Sequence, residues 1–478
     1  IAGVAAFGII RGGKQRSAHD YFLGRDEIPW WVVCFSIVAA ETSTLTFISI
    51  PGLSYLTNLG FLQLAIGYLI GRVTVSALFL PSYYQGELST AYAFLESRFG
   101  ISTRRFASLV FLFTRLAADG VRLFATAIPL QLVLDIEYPV AIAILAAAAF
   151  LYTFAGGVRG VIWVDAVQMF MYLGGAILAG IAIVAATEGG IAEALRPAAE
   201  AGKFRLFDMG WEGDFLQRPY TVLSGILGGA FLSMASHGTD QLIVQRVLAT
   251  KSLRAGQKAL IGSGVIIIAQ FALFLVVGLL LYGHYNGASL ASLGVDRADK
   301  IFPLFIIEGL PPGVSGLIIA GLMAAALSTL AGSMSSMASS VTLDLVKPFV
   351  KSLSGERELR ISRGATILAA VLLVGAALFF MNTSQTVVEL ALSIASFTYG
   401  GLLGTFLLGV LSGKTKEREA LIAFAAGIAA MVGVITLKLV AWTWFTLVGV
   451  LVTLLVGSVL TALRNARSRF SQSGGQTS

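Results

Sequence analysis

Apolar stretches about as long as a membrane-spanning helix recur from one end of this chain to the other. About 20 consecutive apolar residues in a helix cross the hydrocarbon core of a bilayer, and a helix satisfies its own backbone hydrogen bonds there. The pattern therefore predicts an all-α integral membrane protein. Thirteen transmembrane helices are predicted, at residues 1–10, 29–56, 61–85, 104–134, 138–156, 160–187, 219–245, 256–283, 312–346, 361–381, 385–411, 419–439 and 441–463.

The composition excludes a soluble globular domain. Hydrophobic residues make up 56% of the chain and charged residues only 12%, whereas soluble domains carry about a quarter charged residues. A fold of 478 residues could not hide this much apolar surface from water, so lipid must contact much of it. The single cysteine, Cys34, excludes an internal disulfide and a cysteine-based metal site.

The basic residues of the connections fall mostly on one side of the membrane when the predicted spans are alternated across it. Cytoplasmic connections are enriched in Lys and Arg, so this side is predicted to be cytoplasmic. The N-terminus then lies outside and the C-terminus inside a multi-pass protein of the cell membrane. The net charge of +7 marks this topology and contact with anionic lipid, rather than a nucleic-acid site.

The predicted spans divide the chain into six regions. They are the end of an extra N-terminal helix with a cytoplasmic loop (1–28), a first five-helix repeat (29–187), an external loop (188–218), a second five-helix repeat (219–411), two additional C-terminal helices (412–467) and a disordered tail (468–478). Because each repeat has an odd number of spans, the second repeat is inverted relative to the first.

The span at 29–56 differs from an ordinary apolar helix. Its middle carries Glu41 and a run of hydroxyl residues, followed by Pro51 and Gly52. An acid at mid-membrane depth is costly and must face protein or water, and hydroxyl groups can bond backbone that has left the helix. This pattern favours an unwound segment that binds an ion or a solute. The alternative is a kinked helix with a buried, neutral Glu41.

The span at 219–245 is interrupted in the same way. It contains Gly225, Gly228 and Gly229 and ends in a polar run that includes His237. Each interrupted span begins one of the two predicted repeats. Interrupted helices at matching positions of inverted halves indicate the central binding site of a transporter.

The third unusual span, 312–346, is rich in small residues. Ala325, Ser328 and Thr329 are spaced i, i+3 and i+4, so they share one helix face. A carbonyl and two hydroxyl groups on one face can complete a cage of oxygen ligands around a small cation. The alternative is close helix packing, with the hydroxyl groups bonded back to their own helix.

These segments, in this order, resemble the sodium:solute symporter family, which includes sodium–glucose, sodium–proline and sodium–sialic acid transporters. The resemblance covers roughly residues 20–410 and is strongest at three motifs: GGVRGVIWVDAVQ (156–168), DQLIVQRVL (240–248) and VTLDLVK (341–347). It implies the inverted five-plus-five helix repeat of the bacterial leucine transporter. It also implies one extra helix before that repeat and two after it, in agreement with the predicted spans.

The resemblance also implies a sodium site. Its ligands would be the backbone carbonyl groups of Ala39, Thr42 and Ala325 and the hydroxyl groups of Ser328 and Thr329. Some family members bind a second sodium ion with an Asp at the position of Asp165, the Ser at 328 and hydroxyl groups at 331 and 332. Here the last two are Ala331 and Gly332, so one sodium ion per solute is expected, and Asp165 is expected to support the main site.

The residues of the solute pocket are harder to predict from the sequence than the sodium ligands. Residues that could line it by position are Glu41, Thr46, Gln63, Arg122, Ser233, Ser236, His237, Ser396 and Thr398. Arg115, Asp119 and Arg122 share one face of the fourth span, either as a self-neutralising network or with Arg122 free to pair with a solute carboxylate. His237 is expected to bond at the helix break rather than to carry protons.

The predicted function is sodium-coupled symport that imports a small polar organic solute by alternating access. The solute is either a carboxylate-bearing compound or a sugar. The alternative is a proton-coupled carrier on the same fold, with Glu41, Asp165 or His237 as the proton relay. No enzyme is predicted, because the chain has no P-loop, no zinc-protease motif and no nucleophile-elbow context.

Overall fold

The structure is a computed structural model. Besides Phe7 and Ile10, it describes residues 28–85, 90–211, 213, 215–349, 355–381 and 386–473, and for residues 152–158 and 469–473 it describes the backbone alone. The predicted span 1–10 and its cytoplasmic loop therefore lie almost entirely outside the described residues, and so does the end of the predicted tail.

The described residues fold mostly into helices. In chain order the α-helices are α1 (Trp30–Glu41), α2 (Thr44–Leu56), α3 (Leu62–Leu78), α4 (Leu80–Gln85), α5 (Ala91–Arg98), α6 (Ile101–Leu134), α7 (Tyr138–Ala186), α8 (Gly190–Glu200), α9 (Val222–Gly238), α10 (Gln241–Leu248), α11 (Leu253–His284), α12 (Ile301–Glu308), α13 (Pro312–Ser339), α14 (Gly355–Phe380), α15 (Val387–Leu411), α16 (Glu417–Thr436) and α17 (Phe445–Ser473).

The all-helical membrane architecture predicted from the sequence is confirmed. Within the described part of the chain, nine helices are long and apolar enough to cross a membrane, and α1 with α2 forms a tenth, bent span. Two shorter apolar helical segments, 138–151 and Val222–Gly238, coincide with two further predicted spans. The count of thirteen is not confirmed and stays a prediction.

Two helices depart from the predicted boundaries. The predicted spans 138–156 and 160–187 belong to one helix, α7, of 49 residues. At 1.5 Å per residue such a helix is about 74 Å long, more than the ~30 Å core of a bilayer, so helix count and crossing count differ. The last helix, α17, continues to Ser473 and so includes the first residues of the predicted disordered tail.

The first predicted interruption lies between α1 and α2, whose axes differ by 59°. Thr42 has non-helical backbone angles and Ser43 is extended, so the helix stops for two residues at the depth of Glu41. The second interruption lies between α9 and α10. There the Asp240 side chain accepts a hydrogen bond from the Leu242 N–H at 2.9 Å and caps the new helix.

Glycines bring α3 and α9 close together and so hold the second interruption against the first repeat. A Cβ atom on Gly67 would lie 2.3 Å from the Ile226 carbonyl oxygen, and one on Gly229 would lie 2.4 Å from the Leu64 carbonyl oxygen. Only glycine permits such an approach of two backbones, which in membranes is a common means of helix association.

Gly229→Ala is expected to destabilise the protein by about 1–3 kcal/mol, because the added methyl group overlaps a backbone carbonyl that cannot move alone. The measurement is the thermal unfolding midpoint in detergent. Gly375→Ala on α14 is the matched control, since a Cβ atom there meets no atom within 4 Å. Equal midpoints for the two variants would contradict the close packing.

Candidate solute and sodium sites

A cavity of about 80 Å³ lies where the two helix interruptions meet. Ala40, Glu41, Leu45 and Thr46 bring the first interruption to its wall, and Ser236, His237, Asp240, Leu242 and Ile243 bring the second. The remaining lining residues come from the surrounding helices: Phe61, Tyr68, Arg115, Ala118, Arg122, Leu232, Phe271, Val388, Ala391, Leu392, Ala395 and Tyr399. Twelve of these 21 lining residues are apolar, and nine carry polar or charged side chains.

Arg115 is the cation of this wall whose hydrogen bonds are most fully used. Its guanidinium donates to both carboxylate oxygens of Asp119, at 2.7 and 3.0 Å, and to Asp240 at 2.9 Å. Tyr399 donates its hydroxyl hydrogen to the same Asp240. Both carboxylates are buried, so this network neutralises charges that could not stand alone in the membrane.

Arg122, about two helical turns further along α6 than Arg115, forms only long contacts with the protein. Its Nη1 atom lies 3.5 Å from the nearest Asp119 oxygen and 3.4 Å from the Ala40 carbonyl oxygen. Its Nε–H has no hydrogen-bond partner among the described residues. Because Asp119 is already held by Arg115, Arg122 is the cation of the cavity wall with donors to spare.

Glu41 is a carboxylate of the cavity wall, and unlike Arg122 it has a close charged partner. It is paired with the guanidinium of Arg72, which is fully buried and also donates to the Ser263 hydroxyl at 2.7 Å. The Nε2 atom of His237 lies 3.7 Å from the same Glu41 oxygen, beyond hydrogen-bond distance, and has no partner among the described residues. His237 itself is 2% exposed. A carboxylate oxygen and an unpartnered ring nitrogen therefore stand side by side at the cavity.

The tautomer of His237 is assigned from the groups around both ring nitrogens. Nδ1 lies 2.8 Å from the Ser236 hydroxyl oxygen and 3.2 Å from the Ser233 carbonyl oxygen. A carbonyl oxygen only accepts, so the Ser233 contact by itself would suit a proton on Nδ1. The Glu41 carboxylate beside Nε2 favours the other neutral tautomer, with the proton on Nε2 and Nδ1 accepting from the Ser236 hydroxyl, and we assign this tautomer to the ring.

Of the predicted solute residues, the cavity brings together Glu41, Thr46, Arg122, Ser236 and His237. The structure does not place the others on its wall, and their polar groups bond elsewhere in the protein. The Gln63 amide donates to the Gly60 and Tyr220 carbonyl oxygens. The Ser233 hydroxyl donates to the Tyr68 carbonyl oxygen, and the Ser396 hydroxyl donates to the Leu392 carbonyl oxygen. The Thr398 hydroxyl is hydrogen-bonded to the Thr114 hydroxyl.

The predicted sodium ligands are all buried, and the two elements that carry them meet. The Thr44 hydroxyl, just after the first interruption, donates to the Leu322 carbonyl oxygen of α13 at 2.9 Å. The Thr42 N–H donates to the Val38 carbonyl oxygen at 2.8 Å, which is the last helical bond of α1. The carbonyl groups of Ala39 and Thr42 come after that bond, at a helix end where carbonyl oxygens lack helical partners.

Asp165 supports the α13 side of this region. Its Oδ1 accepts the Ser328 hydroxyl hydrogen at 2.5 Å, and its Oδ2 accepts from Ser36 at 2.7 Å and from Arg246 Nη2 at 2.9 Å. A hydroxyl group that gives its hydrogen to a carboxylate keeps its oxygen lone pairs for a cation. The Thr329 hydroxyl hydrogen is likewise occupied, by the Ala325 carbonyl oxygen at 3.1 Å.

The Arg246 guanidinium fills the space beside Gly332. A Cβ atom on Gly332 would lie 2.6 Å from Arg246 Nη2. Asp165 is thus already paired with a cation of the protein itself, and position 332 has no room for a hydroxyl-bearing side chain without moving that cation.

Sequence reasoning missed Arg72, Arg246, Asp240 and Tyr399 as members of these clusters. For Arg72 a signal existed, because an acid and a cation lie inside consecutive predicted spans and each needs a partner in the membrane. No sequence signal pairs Arg246 with Asp165, which lie on different helices more than eighty residues apart.

Comparison with known proteins identifies the class. The model of the sodium:solute symporter family matches residues 21–427. The sodium/sialic acid symporter NanT of Aliivibrio fischeri is 28% identical over 96% of this chain and 90% of its own length. The sodium/sialic acid symporter SiaT of Proteus mirabilis is 27% identical over 100% of this chain and 96% of its own length. A solved Na+-coupled sialic acid symporter in a substrate-bound outward-open state superimposes with a TM-score of 0.86, at 27% identity, over 97% of this chain and 96% of that one.

The chain belongs to the sodium:solute symporter family. It is a multi-pass membrane transporter whose coupling ion is sodium, as the sequence predicted, and the proton-coupled alternative is not favoured. The family is one of transporters and not of enzymes.

Proposed function

We propose that this symporter imports a carboxylate-bearing organic solute with sodium, by alternating access. The observation that carries the proposal is Arg122: a cation on the wall of the central cavity, 17% exposed, with only long contacts to protein. A guanidinium presents two parallel N–H donors that match a carboxylate, and a buried cation without a close partner is costly. A solute carboxylate would supply the missing partner.

A sugar is the second candidate for the solute, since sugar carriers share this scaffold. The charges of the cavity favour the acid. Arg115 and Glu41 are each already paired within the protein, so Arg122 is the group whose pairing is left to the solute. The two relatives described above are named for sialic acid, whose name marks it as an acid, which supports the same choice.

For sodium we propose the site named from the sequence: the carbonyl groups of Ala39, Thr42 and Ala325 with the hydroxyl groups of Ser328 and Thr329. The helix end at Thr42, its contact with α13 through Thr44, and the hydrogen bond from Ser328 to Asp165 all support it. Oxygen ligands from a broken helix and a neighbouring helix suit a small hard cation.

For the architecture we propose thirteen spans with two inverted five-helix repeats, at 29–187 and 219–411. The interruptions at Thr42–Ser43 and Thr239–Asp240, one near the start of each repeat, support this arrangement. We further propose that the N-terminus faces outside and the C-terminus faces the cytoplasm of the cell membrane, because the basic connections share the side of the C-terminus.

Replacement of both hydroxyl ligands, Ser328→Ala plus Thr329→Ala, is expected to raise the sodium concentration for half-maximal uptake by about tenfold or more, since two ligands are lost. Uptake into proteoliposomes at fixed pH and varied sodium measures it. Ser335→Ala plus Ser336→Ala, two turns further along the same helix, is the matched control. An unchanged sodium requirement in the first variant would refute the site.

Arg122→Lys keeps the charge and removes the two-donor geometry, so it is expected to weaken solute binding by about tenfold while half-saturation by sodium stays within a factor of two or so. The measurement is solute affinity at saturating sodium. Arg105→Lys is the control on the same helix, because Arg105 stacks on Phe349 away from the cavity. Unaltered solute affinity in Arg122→Lys would make that residue structural.

One sodium ion is expected to move with each solute, because Arg246 already neutralises Asp165 and leaves no room at Gly332 for a further ligand. With a monovalent anionic solute, transport is then electroneutral and escapes the ~2.3 kcal/mol per charge that 100 mV supplies. Reversal potentials in proteoliposomes with independent sodium and solute gradients give the ratio. A ratio of two sodium ions per solute would contradict this assignment.

A further inference from the structure

Glu41 and His237 form a second polar centre of the cavity, distinct from Arg122. Both groups line the cavity, one from each helix interruption. The carboxylate of Glu41 and the Nε2 of His237 lie 3.7 Å apart, too far to bond each other, and Nε2 has no partner among the described residues although its ring is 2% exposed. A buried polar atom that lacks a hydrogen-bond partner beside a cavity indicates a position for a polar group of a ligand.

We propose that this symporter selects hydroxycarboxylates: the solute carboxylate pairs with Arg122, and a solute hydroxyl group bridges Glu41 and His237. This inference rests on the proposed function, whose carboxylate end it extends with a second point of recognition.

A hydroxyl group fits the second centre because the two protein atoms need opposite partners. Glu41 accepts, and the Nε2–H of His237 donates. Two atoms 3.7 Å apart can both lie about 2.8 Å from a single hydroxyl oxygen, which donates its hydrogen to the carboxylate and accepts from the ring. An apolar solute would leave both atoms unpaired and buried, at a cost in binding.

An ammonium group fits less well, so the centre discriminates hydroxy acids from amino acids. Glu41 is already paired with the buried guanidinium of Arg72, which offsets much of its attraction for a second cation. An ammonium group also has no acceptor to offer the His237 Nε2–H. A hydroxyl group meets neither difficulty.

The two centres lie on the wall of one cavity, so a single solute there can contact both. Arg122 Nη1 contacts the carbonyl oxygen of Ala40, the residue immediately before Glu41. Both side chains line the same cavity, and the rest of its wall is largely apolar, with Leu45, Phe271 and Val388 among its members. This wall suits the carbon skeleton between and beyond the two polar groups.

The test compares acids that differ only at the second carbon, with affinities taken from thermal shift of the purified protein at saturating sodium. The probes are lactate, alanine and propanoate, with 2-hydroxyhexanoate, 2-aminohexanoate and hexanoate as a longer series. N-Acetylneuraminate is the large hydroxylated acid, and lactamide is the uncharged control. In whichever series binds, the hydroxy acid is expected to bind about tenfold or more tighter than its amino and unsubstituted counterparts.

Two variants on different helices locate that preference. Glu41→Gln and His237→Phe are each expected to lower the affinity for the hydroxy acid, or for N-acetylneuraminate, by about tenfold while affinity for the unsubstituted acid changes little. Ser393→Ala is the control, since the Ser393 hydroxyl bonds the Leu390 carbonyl oxygen on α15 and the residue is not part of the cavity wall.

The outcomes separate the two proposals. Equal affinity for hydroxy, amino and unsubstituted acids, or a hydroxyl preference that survives both variants, overturns the second centre and leaves carboxylate recognition standing. Lactamide binding as tightly as lactate overturns the carboxylate proposal itself. If no acid of the panel binds in sodium, both proposals are overturned.

Discussion

Backbone that leaves a helix inside a bilayer must find partners within the protein, and this constraint organises the centre of the molecule. The chain leaves the helix at Thr42–Ser43 and again at Thr239–Asp240. At the first interruption the Thr44 hydroxyl bonds α13, and at the second the Asp240 carboxylate bonds the next helix. Polar groups at these interruptions that remain without a protein partner are available to a sodium ion and a solute. The same interruptions that are costly inside a bilayer therefore supply the groups on which the proposed sites depend.

Charge neutrality is the second requirement of the same interior. The cavity region contains three arginines and three carboxylates, and the pairing among them is unequal. Arg115 is held by two carboxylates and Arg72 holds Glu41, whereas Arg122 has only long contacts. This unequal pairing leaves Arg122 as the cation that the proposed anionic solute would pair with, while the charges around it are already neutralised.

The proposed sodium site depends on groups that do not touch the ion. Ser328 gives its hydrogen to Asp165, and Asp165 is in turn held by Ser36 and Arg246. The four residues come from four helices, α13, α7, α1 and α10, including a part of each interrupted pair. An ion bound near Ser328 would therefore be coupled mechanically to both interrupted helices, which is the connection that a sodium-driven solute carrier requires.

The sequence by itself determined the membrane class, the family, the two interruptions and the small-residue face of 325–329, because each rests on local hydropathy, composition or motif. It also named Glu41, Arg122 and His237, since polar groups inside apolar spans are few. It divided the single helix α7 into two predicted spans. It also assigned Gln63, Ser233, Ser396 and Thr398 to a cavity whose wall does not include them. Tertiary structure alone decided that Glu41 pairs with Arg72, that Asp165 pairs with Arg246, and that Arg122 has only long contacts. The reason is physical: helix periodicity fixes which residues share a face, but which charge meets which partner depends on how separate helices pack.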